Sequence, residues 1–155
     1  MGKGLPAPPK ILNKKVRYNF EVLETVEAGI ALTGSEVKSL RAGHASLDEA
    51  FAFIDAGEMY LRDCNISPYP MAGYAQHKPT RPRKLLLHRR EIRKWQIKVT
   101  QRGLTIVPLS LYFNERGIAK VALALARGKT HADKRATLRK RDDQRDIDRE
   151  LRRRR

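Results

Sequence analysis

Apolar patterning stops at Ala126. From Arg127 to Arg155 the chain holds 13 Lys or Arg and six Asp or Glu, and the large apolar residues there are Leu138, Ile147 and Leu151. Such a segment buries too little apolar surface to offset the entropy of ordering it. The sequence therefore predicts a basic C-terminal tail, residues 129–155, that is disordered when free and takes its order from a partner. What remains, about 126 residues, has room for one core and one domain.

The net charge of +16 is spread over both parts: residues 1–126 carry 20 basic and 11 acidic side chains, and a dense cluster from Lys78 to Lys98 has nine Lys or Arg against one Glu. Two basic regions on one small chain point to a large polyanion gripped at two places, and nucleic acid is the leading class. A membrane surface is the weaker alternative. There is neither an apolar run of ~20 residues nor an amphipathic helix with a large apolar face. Met1 to Pro6 lacks the apolar stretch of a secretory signal and the single Cys64 has no internal disulfide partner, so a cytoplasmic protein is expected.

Along the chain, Pro6, Pro8 and Pro9 mark a short flexible arm, residues 1–12. Alternation from Tyr18 onward reads as one long bent strand reaching Leu32, or as two strands joined at Glu27-Ala28-Gly29. Thr33 with Glu36 three residues later has capping-box spacing, and Gly43 ends the short helix that follows. Phe51–Ile54 and Met59–Ile66 flank a Gly-containing turn, giving a hairpin. Four prolines between Ser67 and Arg83 mark a long loop. Ile92, Trp95 and Val99 share one face of a helix from about His88 to Gln101, closed by Gly103. A second hairpin runs from Thr105 to Ala126 around Asn114–Gly117, with Val121, Leu123 and Leu125 on one side and Pro108 marking an edge or a bulge. About six antiparallel strands in so short a chain must hide their edges. The expected fold is thus mainly β with accessory helices: a small closed antiparallel OB-like barrel over residues 13–128.

Catalytic constellations are missing. His44, His77, His88 and His131 lack zinc-site spacing, and Gly128-Lys129-Thr130 lacks the upstream glycine of a phosphate loop. Asp48 with Glu49, or Glu36 with Asp48, has nothing to set it apart from solvated carboxylates, so no enzyme activity and no cofactor are expected. Glu27 and Glu36 raise a different question, because phosphate repels a carboxylate on an RNA-binding face. Such a group is tolerated where it accepts from a base amino group or holds a cation in place. For Glu36 the alternative is helix capping, and for Glu27 a solvated turn. In Arg81–Arg90 the three leucines suggest a short strand holding Lys84 on one side and His88 on the other, although a helix with a basic exposed face would have the same composition.

The stretch Ala31-Leu-Thr-Gly-Ser-Glu-Val-Lys-Ser-Leu-Arg-Ala-Gly43 resembles the signature of the SsrA-binding protein family, also called small protein B. The resemblance continues at Asn13-Lys-Lys15, Asn65-Ile-Ser-Pro68, Arg83-Lys-Leu-Leu-Leu-His88, Leu109–Gly117 and Ala126-Arg-Gly-Lys129. It covers nearly all of the chain from Asn13 to about Arg135, as several ungapped motifs in order.

This resemblance implies trans-translation, the rescue of stalled ribosomes. The barrel would clasp the tRNA-like domain of transfer-messenger RNA in place of an anticodon arm. The tail would enter the message channel near the decoding centre and fold there as a helix. Elongation factor Tu and alanyl-tRNA synthetase would be met only through the RNA. Family RNA contacts map onto Glu27, Leu86 and His88, with Asn13, Lys14, Lys15, Lys38, Arg41 and Lys84 as neighbouring candidates. His88 stands where some members carry Asn, and both side chains hydrogen-bond. The tail motif corresponds to Gly128, Lys129, His131, Asp133, Lys134 and Arg135. Family members often place an aromatic or His just before the acidic residue, whereas this chain has Ala132 there and His131 one step earlier, ~100° around a helix.

Overall fold

Two long strands set the frame of the computed structural model, which describes residues 8–154. Strand β2 (Phe20–Ile30) pairs antiparallel with β9 (Ala119–Gly128) from Phe20↔Gly128 to Gly29↔Lys120. The end of β2 also pairs with β7 (Arg83–Leu86), which continues to β5 (Glu58–Arg62), then through a tight hairpin to β4 (Phe51–Asp55). From β4 the pairing passes to β8 (Thr105–Phe113), and β8 pairs with β9, so the path returns to where it began. Two short strands, β3 (Ala45–Ser46) and β6 (Asn65–Ile66), form a separate small sheet.

The alternation of β9 decides what lies on each side. Val121, Leu123 and Leu125 point inward with Leu61, Leu85 and Leu111, all with 1 % exposure or less. The other face carries alanines, and this is why an element can lie close on it. Ala124 and Ala126 are buried there with Val107 under Val16 of α1 (Val16–Asn19), with Phe20 and Leu109 packed alongside.

Local signals behaved as their chemistry dictates. Glu36 accepts the Thr33 N–H at 2.9 Å and closes the capping box of α2 (Gly34–Arg41). Helix α3 (Arg89–Arg102) buries Ile92 and Trp95 and stops at Gly103, whose φ of 63° is the left-handed region that favours glycine. Pro108 marks a bulge rather than an edge, because the β8–β9 register shifts between Pro108 and Ser110 while β8 is paired on both sides. The long loop from Ser67 is tied down. Gln76 bonds Tyr69 twice, at 3.0 and 2.7 Å, and His77 bridges Ser35 Oγ at 2.7 Å and the Ile66 carbonyl at 2.8 Å.

Four expectations are corrected. The arm ends earlier than residue 12, since β1 (Ile11–Leu12) pairs with Leu111 and Ser110 of β8. The alternation at Tyr18 is no strand: Asn13 Oδ1 accepts the Lys15 N–H at 3.3 Å and Asn19 bonds back to Lys15, turning Val16–Asn19 into helix before β2 begins. Strand β2 is one strand through Glu27–Gly29, as the first alternative had it, but it ends at Ile30, short of Leu32, and its irregularity falls at Val22–Glu24 rather than at Glu27–Gly29.

The fourth correction is the tail. In place of a disordered segment the structure has α4 (His131–Arg153). Burial arguments missed it because its helicity is local. The tail after Gly128 contains no Gly or Pro, and it carries pairs four apart such as Gln144–Asp148, at 3.0 Å, and Glu150–Arg154, at 3.9 Å. Lys129 joins it to the body, its N–H bonding the Asn19 carbonyl at 2.8 Å and its Nζ bonding both the Arg17 carbonyl and Thr137 Oγ1 at 2.7 Å. Lys134 Nζ lies 5.6 Å from the centre of the Tyr18 ring.

Candidate RNA interface

Antiparallel pairing of Gly29 with Leu86 puts Glu27, two residues before Gly29, and His88, two residues after Leu86, at the same level of the sheet. The pleat of β7 turns Arg83 and Leu85 inward and Lys84 and Leu86 outward. Lys84 and His88 therefore belong to one side, not to opposite sides as the leucine run had suggested. Gly29 makes the close approach possible, because a Cβ there would lie 3.1 Å from Leu86 Cβ. The outcome is an open cleft lined by Glu27, Gly29, Glu58, Lys84, Leu86, His88, Glu91 and Lys120. Leu86 is 53 % exposed, an apolar plate on a surface otherwise ringed by charge. Lys84 is 3.5 Å from Glu58 with both side chains well solvated, a pair that leaves the ammonium available to phosphate.

One contact organises the acidic edge of this cleft. The Tyr112 hydroxyl donates to Glu27 Oε2. Burial, the hydrogen bond to Glu27 and the charge of Glu27 push the phenol up to about 12, so the hydroxyl keeps its proton at neutral pH.

The other candidates fall elsewhere. Asn13 is half-buried, donating to the Leu47 and Pro108 carbonyls at 3.1 and 3.0 Å; it clamps the chain ahead of α1 and lines the cleft that Lys14 shares. Lys14 is exposed and lines a second cleft with Lys10, Leu12 and Arg17, while Lys15 pairs with Glu49 at 3.2 Å. On α2, Lys38 sits 5.4 Å from the centre of the Tyr69 ring and Arg41 5.2 Å from that of Phe113. Of the tail motif, Gly128 ends β9, Lys129 is the joint described above, and Arg135 is exposed. The side chains of His131 and Asp133 lie outside the described residues.

Glu36 is fully buried, so its carboxylate cannot meet RNA, and capping is only half of its role. Its Oε1 accepts from Arg81 at 2.5 Å and its Oε2 from the buried Arg83 at 2.5 Å. Burial pushes its carboxyl upward, but the bonds from Arg81 and the Thr33 N–H and the charge of Arg83 outweigh that and hold it below the usual 4.5. Sequence reasoning counted Arg83 in the basic stretch Arg81–Arg90 without giving it a role, and missed Tyr112, Glu58, Glu91 and Lys120. The inward parity of Arg83 could have been read from the alternation of β7. Tyr112 could not, since its place at the cleft depends on the strand order β2-β9-β8. Among the described residues no three His, Cys, Asp or Glu side chains gather to hold a metal ion.

Residues 10–153 match the family model described as SmpB protein. The chain belongs to the SmpB family. The SsrA-binding protein of Moorella thermoacetica is 51 % identical over 142 residues, 92 % of each chain. That of Myxococcus xanthus is 49 % identical over 156 residues, covering 98 % of this chain and 96 % of the other. That of Thermus thermophilus is 54 % identical over 127 residues, 82 % and 88 % of the two chains. A solved SmpB-type chain described under the words "tmRNA-SmpB: a journey to the center of the bacterial ribosome" is 51 % identical, with a TM-score of 0.67, covering 84 % of this chain and 95 % of that one. The sheet with packed helices is thus an SmpB-like fold. No helix among the described residues is long and apolar enough to cross a membrane.

Proposed function

We propose that this SmpB-family chain is an RNA-binding adaptor without catalysis of its own: it binds transfer-messenger RNA through the tRNA-like domain and brings it to stalled ribosomes for trans-translation. The observation that carries this reading is the meeting of Glu27, Lys84, Leu86 and His88 in one open cleft, in a chain about half identical to SsrA-binding proteins. We read the body, residues 13–128, as a small closed barrel of OB type, a scaffold whose faces commonly take structured or single-stranded RNA; the pairing of β8 with both β4 and β9 supports this reading.

The chemistry divides among the four residues. Lys84 neutralises phosphate, Leu86 offers an apolar surface to an unstacked base, and His88 donates or accepts according to its tautomer. Glu27, which only accepts, selects a base N–H or a ribose 2′-hydroxyl. Residues 129–155 form the ribosomal part, entering the message channel toward the decoding centre with Gly128, Lys129, His131, Asp133, Lys134 and Arg135 at its root. We read this part as carried in helical form, so that docking changes where the helix is attached rather than whether it exists. Elongation factor Tu and alanyl-tRNA synthetase take part through the RNA alone, and the setting is the cytoplasm.

The test is a titration with a labelled tRNA-like RNA, competed by an unrelated hairpin. Glu27→Ala or His88→Ala is expected to weaken binding by ~1–3 kcal/mol, because each lines the cleft with hydrogen-bonding capacity left to offer the RNA. The melting temperature should hardly move, since neither side chain supports the core. Lost stability with unchanged affinity would make both residues structural. Equal binding of the hairpin would leave a general, charge-driven nucleic-acid binder.

A further inference from the structure

A carboxylate at a phosphate-binding surface works only if it faces a donor on the RNA and not the backbone charge beside it. Left to itself, the side chain of Glu27 would sample several rotamers, most of them aimed at solvent or at Lys120. The fold removes that freedom from one direction. Glu27 lies opposite Ala122 of β9, and Tyr112 lies opposite Lys120 of the same strand. The two are diagonal neighbours across β9, and the small side chain of Ala122 leaves the path between them open. The phenol spans that path and donates to Oε2, while Lys10 Nζ lies over its ring at 5.2 Å from the centre. No other described residue bonds Oε1, so that oxygen is left to the cleft.

We propose that Tyr112 is a positioning residue for RNA recognition: by holding one oxygen of Glu27 it presents the other as a fixed acceptor for a base N–H or a ribose 2′-hydroxyl. The inference rests on the reading of the cleft as the RNA interface. Tyr112 itself stays behind Glu27, on the far side of β9 from β7, and acts through the carboxylate. The expected size follows from a hydrogen bond to a charged group, part of which is recovered when the freed carboxylate finds water. Affinity should fall about 5- to 10-fold when the hydroxyl is removed.

The experiment measures affinity of the full chain for a labelled tRNA-like RNA by fluorescence anisotropy in fixed salt, for the unaltered protein, Tyr112→Phe, Glu27→Gln and the double variant, with melting curves for each. The expected result is a loss of about 5- to 10-fold for Tyr112→Phe at unchanged melting temperature, and a double variant no weaker than Glu27→Gln alone. Repeating the unaltered protein and Glu27→Gln with 2′-deoxy substitutions in the RNA separates the donors. A substitution that erases the difference between them assigns the 2′-hydroxyl, and a difference that survives every substitution assigns a base. Losses that add would overturn the proposal by giving Tyr112 a contact of its own. So would Tyr112→Phe binding normally while Glu27→Gln binds weakly, or a loss that tracks a lowered melting temperature. Normal binding by both single variants would instead remove the cleft reading on which the proposal stands.

Discussion

Cutting the chain after Thr130 should leave a folded body that still binds the tRNA-like RNA, while tagging of stalled nascent chains is abolished. The position of the cut follows from the joint. Gly128 is the last residue paired with β2, and the N–H of Lys129 bonds Asn19, so ending at Thr130 keeps the ladder and its closing bond intact. Beyond that point the large apolar side chains Leu138, Ile147 and Leu151 are 43 %, 53 % and 58 % exposed, so no core is lost. The cut removes 11 basic and six acidic side chains, and this trims the salt-sensitive part of RNA affinity without touching the cleft. Replacing Asp133, Lys134 and Arg135 together by Ala changes the net charge by only one unit, yet should give the same separation of binding from tagging. A truncated chain that supports normal tagging in a reconstituted stalled-translation reaction would reduce the tail to an electrostatic tether.

The same joint shows why some of this molecule was legible in its sequence and some was not. Features governed by neighbours in the chain were readable: the Thr33–Glu36 capping box, the stop at Gly103, the hairpin from Phe51, and the inward row Val121, Leu123 and Leu125. Each depends on spacings of two, three or four residues, and local chemistry settles it. Tyr18 misled because its alternation continues into a true strand, while the Asn13 side chain four residues upstream of Arg17 bends the chain into helix first. The tail misled in the opposite sense. Its composition was weighed for burial, and the helix is supported by residue propensity and by pairs four apart, which burial does not count.

The candidate site was legible where family motifs and sheet register coincide, as at Glu27, Leu86 and His88. It was not legible where a partner arrives through a third strand. Tyr112 is 85 residues from Glu27 in sequence, and nothing in either neighbourhood signals the other. Basic composition alone cannot separate a ligand-facing cation from a structural one. Lys84 and Arg83 are adjacent, yet the first lines the cleft and the second is fully buried, because the pleat sends successive side chains to opposite faces. Mutating every cation of the cluster would therefore mix two effects, loss of RNA contact and loss of fold.

Glu36→Ala isolates the second of these and should be the most damaging single change in the body. The carboxylate is the hub for three donors: the Thr33 N–H at 2.9 Å, Arg81 at 2.5 Å and Arg83 at 2.5 Å. Arg83 carries the tie onward to the carbonyls of Cys64 at 2.6 Å and Pro79 at 3.0 Å, so one ion network joins α2, β7 and the base of the long loop. Removing the carboxylate leaves the Arg83 guanidinium buried without its counter-charge, a loss of about 3–5 kcal/mol. For a body of this size that is a fall of roughly 10–20 °C in melting temperature. Pairing Glu36→Leu with Arg83→Met removes both charges and should recover much of the loss, since the buried pair has little net worth against a packed apolar replacement. The pH dependence has a definite sign. The Glu36 carboxyl is held below its ordinary 4.5 in the folded state, so the unfolded chain binds the proton more readily. Its contribution is fully present above about 4.5 and drains away as pH falls through the lower folded value. Glu24, lowered by its bond to Lys98, adds to the same trend. Melting curves from pH 7 down to pH 3 should therefore fall more steeply for the unaltered protein than for Glu36→Gln, which starts lower and lacks this group's titration. Parallel curves would mean that the Glu36 carboxyl titrates alike in the folded and unfolded chain, and the network would then add no pH-dependent stability.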